Sequence, residues 1–311
     1  MTSRNIPIDI TKGIAIVLMI IGHCTLFNGV PRYVIFTFHM PLFFIFSGYF
    51  YRNKPLLDAI KQGIHRLVIP YLSYAIITET IYFLLNEKDI IICLQEILFA
   101  HGGPKHTILF PTDTYLGAIW FLMAIFWCKI YYLIINTICK NNYYYNIAFA
   151  FLVSCLSIYL GKYIINMPLG LLTGASGLAF YSIGAILRNN PTRYIYTTII
   201  IWGIAVSFHF TFVDMVNFDY RFYPIDFICA IGGSLTIYLI SQLIALKCNM
   251  FISTAIAKLG VYSLEILCLH HLMLHICKII NCGQTVFFLA NITIPIFLPL
   301  AWYKYKRTKS S

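Results

Sequence analysis

The chain is poor in charge. Only 11% of its 311 residues are Asp, Glu, Lys or Arg, and the acids number 11. A soluble domain carries about 25% charged residues, so this sequence cannot clothe a water-facing surface. It has no CxxC pair. Its 10 cysteines are scattered, mostly inside apolar runs. That pattern excludes a disulfide framework and a zinc ribbon, and reads as buried thiols. There is no internal repeat and no appended polar domain, and no small-x-small cleavage site follows Lys12. The opening apolar run is therefore expected to be retained as a span. No basic run is interleaved with polar sequence, so nucleic acid is not an expected partner.

What is present is hydrocarbon. Hydrophobic residues make up 60% of the chain, and the mean hydropathy is +0.79. The expected fold is an all-α, polytopic membrane helix bundle forming a single domain over 1–311. A helical span needs about 20 mostly apolar residues. Ten such runs lie near 10–27, 32–50, 64–86, 115–138, 144–161, 169–187, 194–210, 224–246, 256–279 and 285–303. The stretch 90–110 is expected to be an extracytoplasmic loop. With the N-terminus inside, 16 of the 22 Lys and Arg fall at cytoplasmic ends, against six outside. The positive-inside rule then predicts ten spans with both termini cytoplasmic and a short basic tail over 304–311. The expected location is the cell's inner (cytoplasmic) membrane, with the lipid bilayer as a partner.

Ionisable groups inside spans are costly, which makes them functional candidates. Lys12 and His23 are eleven residues apart, about 16 Å of rise and only about 20° of net rotation on a helix, so they share a face. Taken alone, Lys12 is an interface anchor and His23 a packing histidine; taken together they suggest a site. The second candidate is Phe38-His39-Met40-Pro41, where proline crowds the Thr37 carbonyl and should kink the helix beside His39. The loop between the first two spans is short, which predicts matched depths for His23 and His39. Two imidazoles at one depth suit acid–base chemistry. Two core histidines are the plainer alternative.

Arg52, Lys54, Lys61, His65 and Arg66 concentrate positive charge at the start of the third span. Arginine's planar fork suits phosphate, and positive-inside anchoring explains the cluster equally well. Trp120 is either a belt aromatic or a site wall. Glu265 and His270 are expected in the middle and outer half of the ninth span, with one or both facing the interior. His271 and His275 have metal-ligand spacing but no accompanying carboxylate or thiolate set, so no metal is expected. Glu79 is a buried acid without an evident partner.

Together these residues resemble the membrane acyltransferase 3 family, in particular its smaller members similar to fucose 4-O-acetylase-like proteins. The matching pieces are Asp9-x-x-Lys12-Gly13, Lys12-x10-His23, Phe38-His39-Met40-Pro41-Leu42-Phe43-Phe44 with Ser47-Gly48-Tyr49, Arg66-Leu67 with Pro70-Tyr71, Trp120-Phe121-Leu122, and Ser263-Leu264-Glu265 with His270. The resemblance implies transfer of an acyl group, usually acetyl from acetyl-CoA, to a hydroxyl of a cell-surface glycan or its lipid-linked precursor. It implies that His23 is catalytic, with His39 orienting it. The donor's phosphates would lie near Lys12 and Arg66, with Lys61 and Asp9 beside them. Trp120, His270 and Glu265 would line the acceptor side. Two departures stand out: Gly63 occupies a position that is basic in many relatives, and Leu267 one that is often Tyr. Because some proteins resembling the family are described as polysaccharide exporters, an exporter or transporter is the alternative reading.

Overall fold

A computed structural model describes residues 5–103, 116–163, 167–188 and 195–309, with side chains excepted at 25 and beyond 301. The chain is helical along nearly all of this length. In chain order the helices are α1 (Ile6–His23), α2 (Val30–Phe36), α3 (His39–Tyr49), α4 (Leu56–Gly63), α5 (Ile69–Leu84), α6 (Ile90–Phe99), α7 (Trp120–Ile138), α8 (Tyr143–Tyr163), α9 (Leu171–Ser176), α10 (Leu178–Leu187), α11 (Ile195–Ser207), α12 (Tyr223–Lys247), α13 (Met250–Val261), α14 (Ser263–Ile279) and α15 (Gln284–Lys309). A π-helical turn, Ile64–Val68, joins α4 to α5. A two-stranded antiparallel hairpin, β1 (Val213–Asp214) and β2 (Asp219–Tyr220), sits between α11 and α12.

Among the described residues, 7 helices are long and apolar enough to cross a membrane, or 9 if two bent pairs each count as one. The difference from ten runs has physical causes. The run 169–187 bends by 53° between α9 and α10, and the run 256–279 bends by 67° between α13 and α14. The run 194–210 yields only the 13 residues of α11 before the chain turns into the hairpin. The expected loop 90–110 is also revised. Its first ten residues form α6, with Cys93, Glu96 and Phe99 buried, and 104–110 lie outside the described residues. The backbone of the basic tail continues α15 to Lys309; the rest of it lies outside them as well. Large apolar side chains stay exposed on α5, α8, α11 and α15, for example Leu84, Leu152, Ile200 and Phe297. In a multi-pass membrane protein these are the lipid-facing surfaces.

Lipid tails are as apolar as leucine, so helices in a bilayer hold together by close packing, and small residues permit it. α1 lies against α13 through such a seam. A Cβ on Gly13 would stand 2.2 Å from the Ile256 carbonyl oxygen, and one on Gly260 would stand 1.8 Å from that of Asp9. α3 and α10 meet the same way, with Gly48 against the Tyr181 carbonyl and Gly184 against that of Ile45. These two seams fix α1 and α3, the helices that carry the candidate site. A side chain forced into the first seam should cost about 1–3 kcal/mol. Gly13→Val is therefore expected to lower the thermal unfolding temperature in detergent. Gly203→Val should leave it unchanged, since a Cβ at Gly203 meets nothing within 4 Å.

Candidate active site

The site begins with a broken helix. The span over Val30–Tyr49 is interrupted at Thr37 and Phe38, between α2 and α3. Proline at position 41 is compatible with the first turn of a new helix. The break strands carbonyls, and buried carbonyls need donors. Side chains supply them. Thr37 Oγ1 donates to the Val34 carbonyl (2.7 Å) and accepts from Trp202 Nε1 (2.9 Å). His39 Nδ1 lies 2.9 Å from the Ile35 carbonyl oxygen. The Ile35 carbonyl also accepts from the main-chain N–H of Phe38 (3.3 Å). A carbonyl can only accept, so Nδ1 carries the proton and the lone pair of a neutral His39 sits on Nε2. That nitrogen makes no hydrogen bond among the described residues.

His23 is the last residue of α1, and His39 the first of α3. Their rings are not in direct contact. The Phe36 ring stands between them, 6.0 Å from His23 and 4.8 Å from His39 by ring centroids. On its other side His23 faces His270, again at 6.0 Å. The His23 side chain is exposed, and neither it nor His39 nor His270 lines the cavity described next. His270 is fully buried beside the Asn291 main chain, and neither ring nitrogen makes a hydrogen bond among the described residues. His23 thus has Phe36, with His39 against that ring, on one side and His270 on the other.

A cavity of about 680 Å³ approaches this cluster from the end of the bundle where α1 begins. Along α1 it is lined by Lys12, Ile16 and Met19, a spacing of four and three that keeps one face. Met19 lies one turn before His23, and Met40, which also lines the cavity, adjoins His39. The mouth is basic: Arg52, Lys54, Arg66 and Lys129 line it together with Lys12. Lys54 Nζ donates to Gln62 Oε1 (3.0 Å), and Lys12 Nζ lies 4.6 Å from the centroid of the Phe50 ring. The far end is apolar, walled by Phe43, Phe121 and Leu267. An amide chain steadies the rim. Asn146 Nδ2 donates to Asn136 Oδ1 (2.7 Å), and Asn136 Nδ2 donates to the Tyr51 hydroxyl (3.1 Å).

Several residues picked out in the sequence lie elsewhere. The third-span lining passes through Ala59, Gln62, Gly63 and Arg66, one helical face; Lys61 is about 200° round from Ala59 and is exposed. His65 is exposed too, so neither stands in for the missing basic residue at Gly63. Asp9 sits half-buried in the first turn of α1 and does not line the cavity. Glu265 is exposed, in the first turn of α14. It follows directly on the 67° bend at Tyr262. Trp120 is buried under the 101–103 turn, where a Cβ on Gly102 would touch its ring, and its neighbour Phe121 reaches the cavity instead. Lys129, which lines the cavity, has no motif to mark it; its only sequence signal is a lone cation inside an apolar run.

Glu79 does have partners. Lys88 Nζ lies 3.2 Å from its carboxylate and also bonds Glu96. Beside this cluster, His275 Nε2 donates to the Leu116 carbonyl (3.1 Å), which leaves Nδ1 to accept from the Tyr82 hydroxyl (2.7 Å). His271 Nε2 pairs with Thr78 Oγ1 (3.2 Å). His271 and His275 are thus committed to holding α5 and the Leu116 carbonyl.

An apolar helical bundle with a cavity that has a basic mouth and reaches Met19 and Met40 is a multi-pass membrane protein with room for a ligand inside it. Comparison with known families says which class it is. Residues 5–304 match the acyltransferase 3 family, described as an acyltransferase domain, and the chain belongs to this family of membrane acyltransferases. It is also 27% identical over 134 residues to the nodulation protein NolL of Mesorhizobium japonicum, covering 40% of this chain and 34% of that relative. The chain spans about a third of the length of that curated relative. No solved structure matches it.

Breaking the Lys88 clamp leaves two buried carboxylates facing each other, a change that typically costs about 3–5 kcal/mol. Lys88→Met should therefore lower the thermal unfolding temperature and the yield of monodisperse protein, and Lys88→Arg should restore most of both. Equal stability of Lys88→Met and wild type would show that the cluster is not a fastening.

Proposed function

We propose that the protein transfers an acetyl group from acetyl-CoA to a hydroxyl of a cell-surface glycan or its lipid-linked precursor, working in the cytoplasmic membrane. The observation that carries this reading is the cavity, which has cations at its mouth, apolar walls at depth and imidazoles beyond. Acetyl-CoA has the same order of parts. Its phosphates are anionic and belong with Lys12, Arg66 and their neighbours. Its pantetheine arm is thin and uncharged and follows the Ile16–Met19 face. Its thioester then arrives beside Met19 and Met40, next to His23 and His39. By this reading the mouth is cytoplasmic, since CoA is a cytosolic carrier.

The chemistry is one displacement. A ring nitrogen of His23 takes the proton from the acceptor hydroxyl as its oxygen attacks the thioester carbonyl carbon. A carbon–oxygen bond forms, the carbon–sulfur bond breaks, and the CoA thiolate leaves and takes up the proton. No proton is gained or lost overall. His39, with its tautomer set by the Ile35 carbonyl, presents a second basic nitrogen toward the same region. His270 lies on the acceptor side of His23. Any acyl group at the apolar end must be uncharged, because burying an unpaired carboxylate costs several kcal/mol. That favours acetyl over succinyl.

A positioned base contributes about 10²–10⁴-fold, so His23→Ala, if correctly folded, should lose that much of kcat in a detergent assay with acetyl-CoA and a glycan acceptor. Full retention would remove His23 from the reaction. Arg66→Ala should mainly raise KM for acetyl-CoA, and an unchanged KM would make Arg66 a mere anchor. In direct competition, acetyl-CoA should outrun succinyl-CoA by at least about tenfold. Equal use would contradict the apolar reading of the far end.

A further inference from the structure

Lys129 is the unexplained charge of the cavity. It lies nine residues beyond Trp120 on α7, about 14 Å along the helix. It falls on the stripe Leu122, Ile125, Lys129 and Leu133 that lines the cavity. Its side chain is half-buried, and among the described residues it makes no ion pair and no hydrogen bond. The charged side chains that act on it are Arg66, Lys12 and Lys54, all cations. Elsewhere the bundle does neutralise a semi-buried lysine, setting Glu79 and Glu96 against Lys88.

Like charges gathered round one cavity repel one another, and the half-buried Lys12 and Lys129 also lose part of their hydration, while Arg66 and Lys54 stay exposed at the mouth. Such an arrangement is uphill until an anion shares them. Two features narrow the anion. The cations come from four separate parts of the chain, α1, the α3–α4 connection, the π-helical turn and α7, so the ligand must offer several oxygens spread over more than one group. The lining next to Lys129 is apolar, so the ligand continues inward as something uncharged. We infer that Lys129, together with Lys12 and Arg66, binds the phosphate groups of the acyl donor, a diphosphate-bearing nucleotide thioester. This rests on the acyl-transfer reading above and adds to it a residue that no motif marks. Lysine suits the role as a compact point charge with rotatable donors.

The test compares two donors that share a thioester and differ in phosphate: acetyl-CoA and acetylpantetheine. Purified full-length wild type, Lys129→Gln, Lys129→Met and Lys129→Arg are assayed with each, and inorganic pyrophosphate is tested as a competitor of acetyl-CoA. Loss of one charge-assisted hydrogen bond corresponds to about tenfold or more in affinity. The two neutral variants should raise KM for acetyl-CoA by about that factor with kcat within about twofold, while Lys129→Arg recovers most of the loss. KM for acetylpantetheine should not move. Pyrophosphate should compete in wild type and about tenfold more weakly in the neutral variants. Equal losses with both donors would mean that Lys129 only supports packing, and would overturn the assignment. So would undiminished pyrophosphate binding in Lys129→Gln or Lys129→Met. If the wild type transfers from neither donor, it is the acyl-transfer reading that fails. Direct pyrophosphate binding then still decides the role of Lys129, supporting it if that binding weakens in the neutral variants and overturning it if it does not.

Discussion

Positive charge placed inside an apolar bundle must face water, protein or an anion, and much of this molecule follows from that constraint. Lys12, Arg66 and Lys129 lie on different helices, yet all turn toward one cavity. Turned outward into hydrocarbon, the deeper ones would each cost several kcal/mol. The bundle therefore stays open along α1 where a fully packed core would close. Meanwhile the glycine seams hold α1 hard against α13 and α3 against α10. Rigid walls and a charged lumen are complementary requirements, since a path for a ligand persists only if its lining helices cannot collapse.

The second element is the interruption between α2 and α3. A continuous helix would have spent the Ile35 carbonyl on the main-chain N–H of His39. The break gives that carbonyl the Phe38 N–H and the His39 ring instead, which sets the tautomer and leaves the ring's lone pair on Nε2. Trp202 reaches across from α11 to satisfy Thr37, so a neighbouring helix shares the cost of the break. The Phe36 ring packs against both His23 and His39. The same economy is visible on α14. One face contributes His270 to this centre, while His271 and His275 are tied to α5 and to the Leu116 carbonyl.

How legible this was in the sequence depended on whether a feature was local. Apolar runs and the Lys12–His23 spacing are local, and both translate directly: α1 is one uninterrupted helix whose face from Lys12 through Met19 lines the cavity. Residues near bends fared worse. The 67° bend at Tyr262 leaves no trace in hydropathy, and the Glu265 side chain just beyond it is exposed. Lys61 shares a charge cluster with Arg66 but not a helical face. Trp120 and Phe121 are neighbours in sequence, yet the close contact of Gly102 decides which of them reaches the cavity. In sequence Lys129 is one basic residue among many, and only tertiary packing sets it on the cavity that Lys12, Lys54 and Arg66 also line. Partners of Glu79 lay 9 and 17 residues downstream on a different element, beyond any helical periodicity.

The account reduces to one spatial claim, that a donor held by its phosphates at the basic mouth reaches the imidazoles through the bundle. The most direct measurement is a cryo-EM map of the protein in lipid nanodiscs with a non-transferable acetyl-CoA analogue. The account predicts phosphate density among Lys12, Arg66 and Lys129, a pantetheine arm along Ile16 and Met19, and the acyl carbon beside His23 and His39. Density with the phosphates at the opposite end of α1, or with an arm that stops short of Met19, would contradict it.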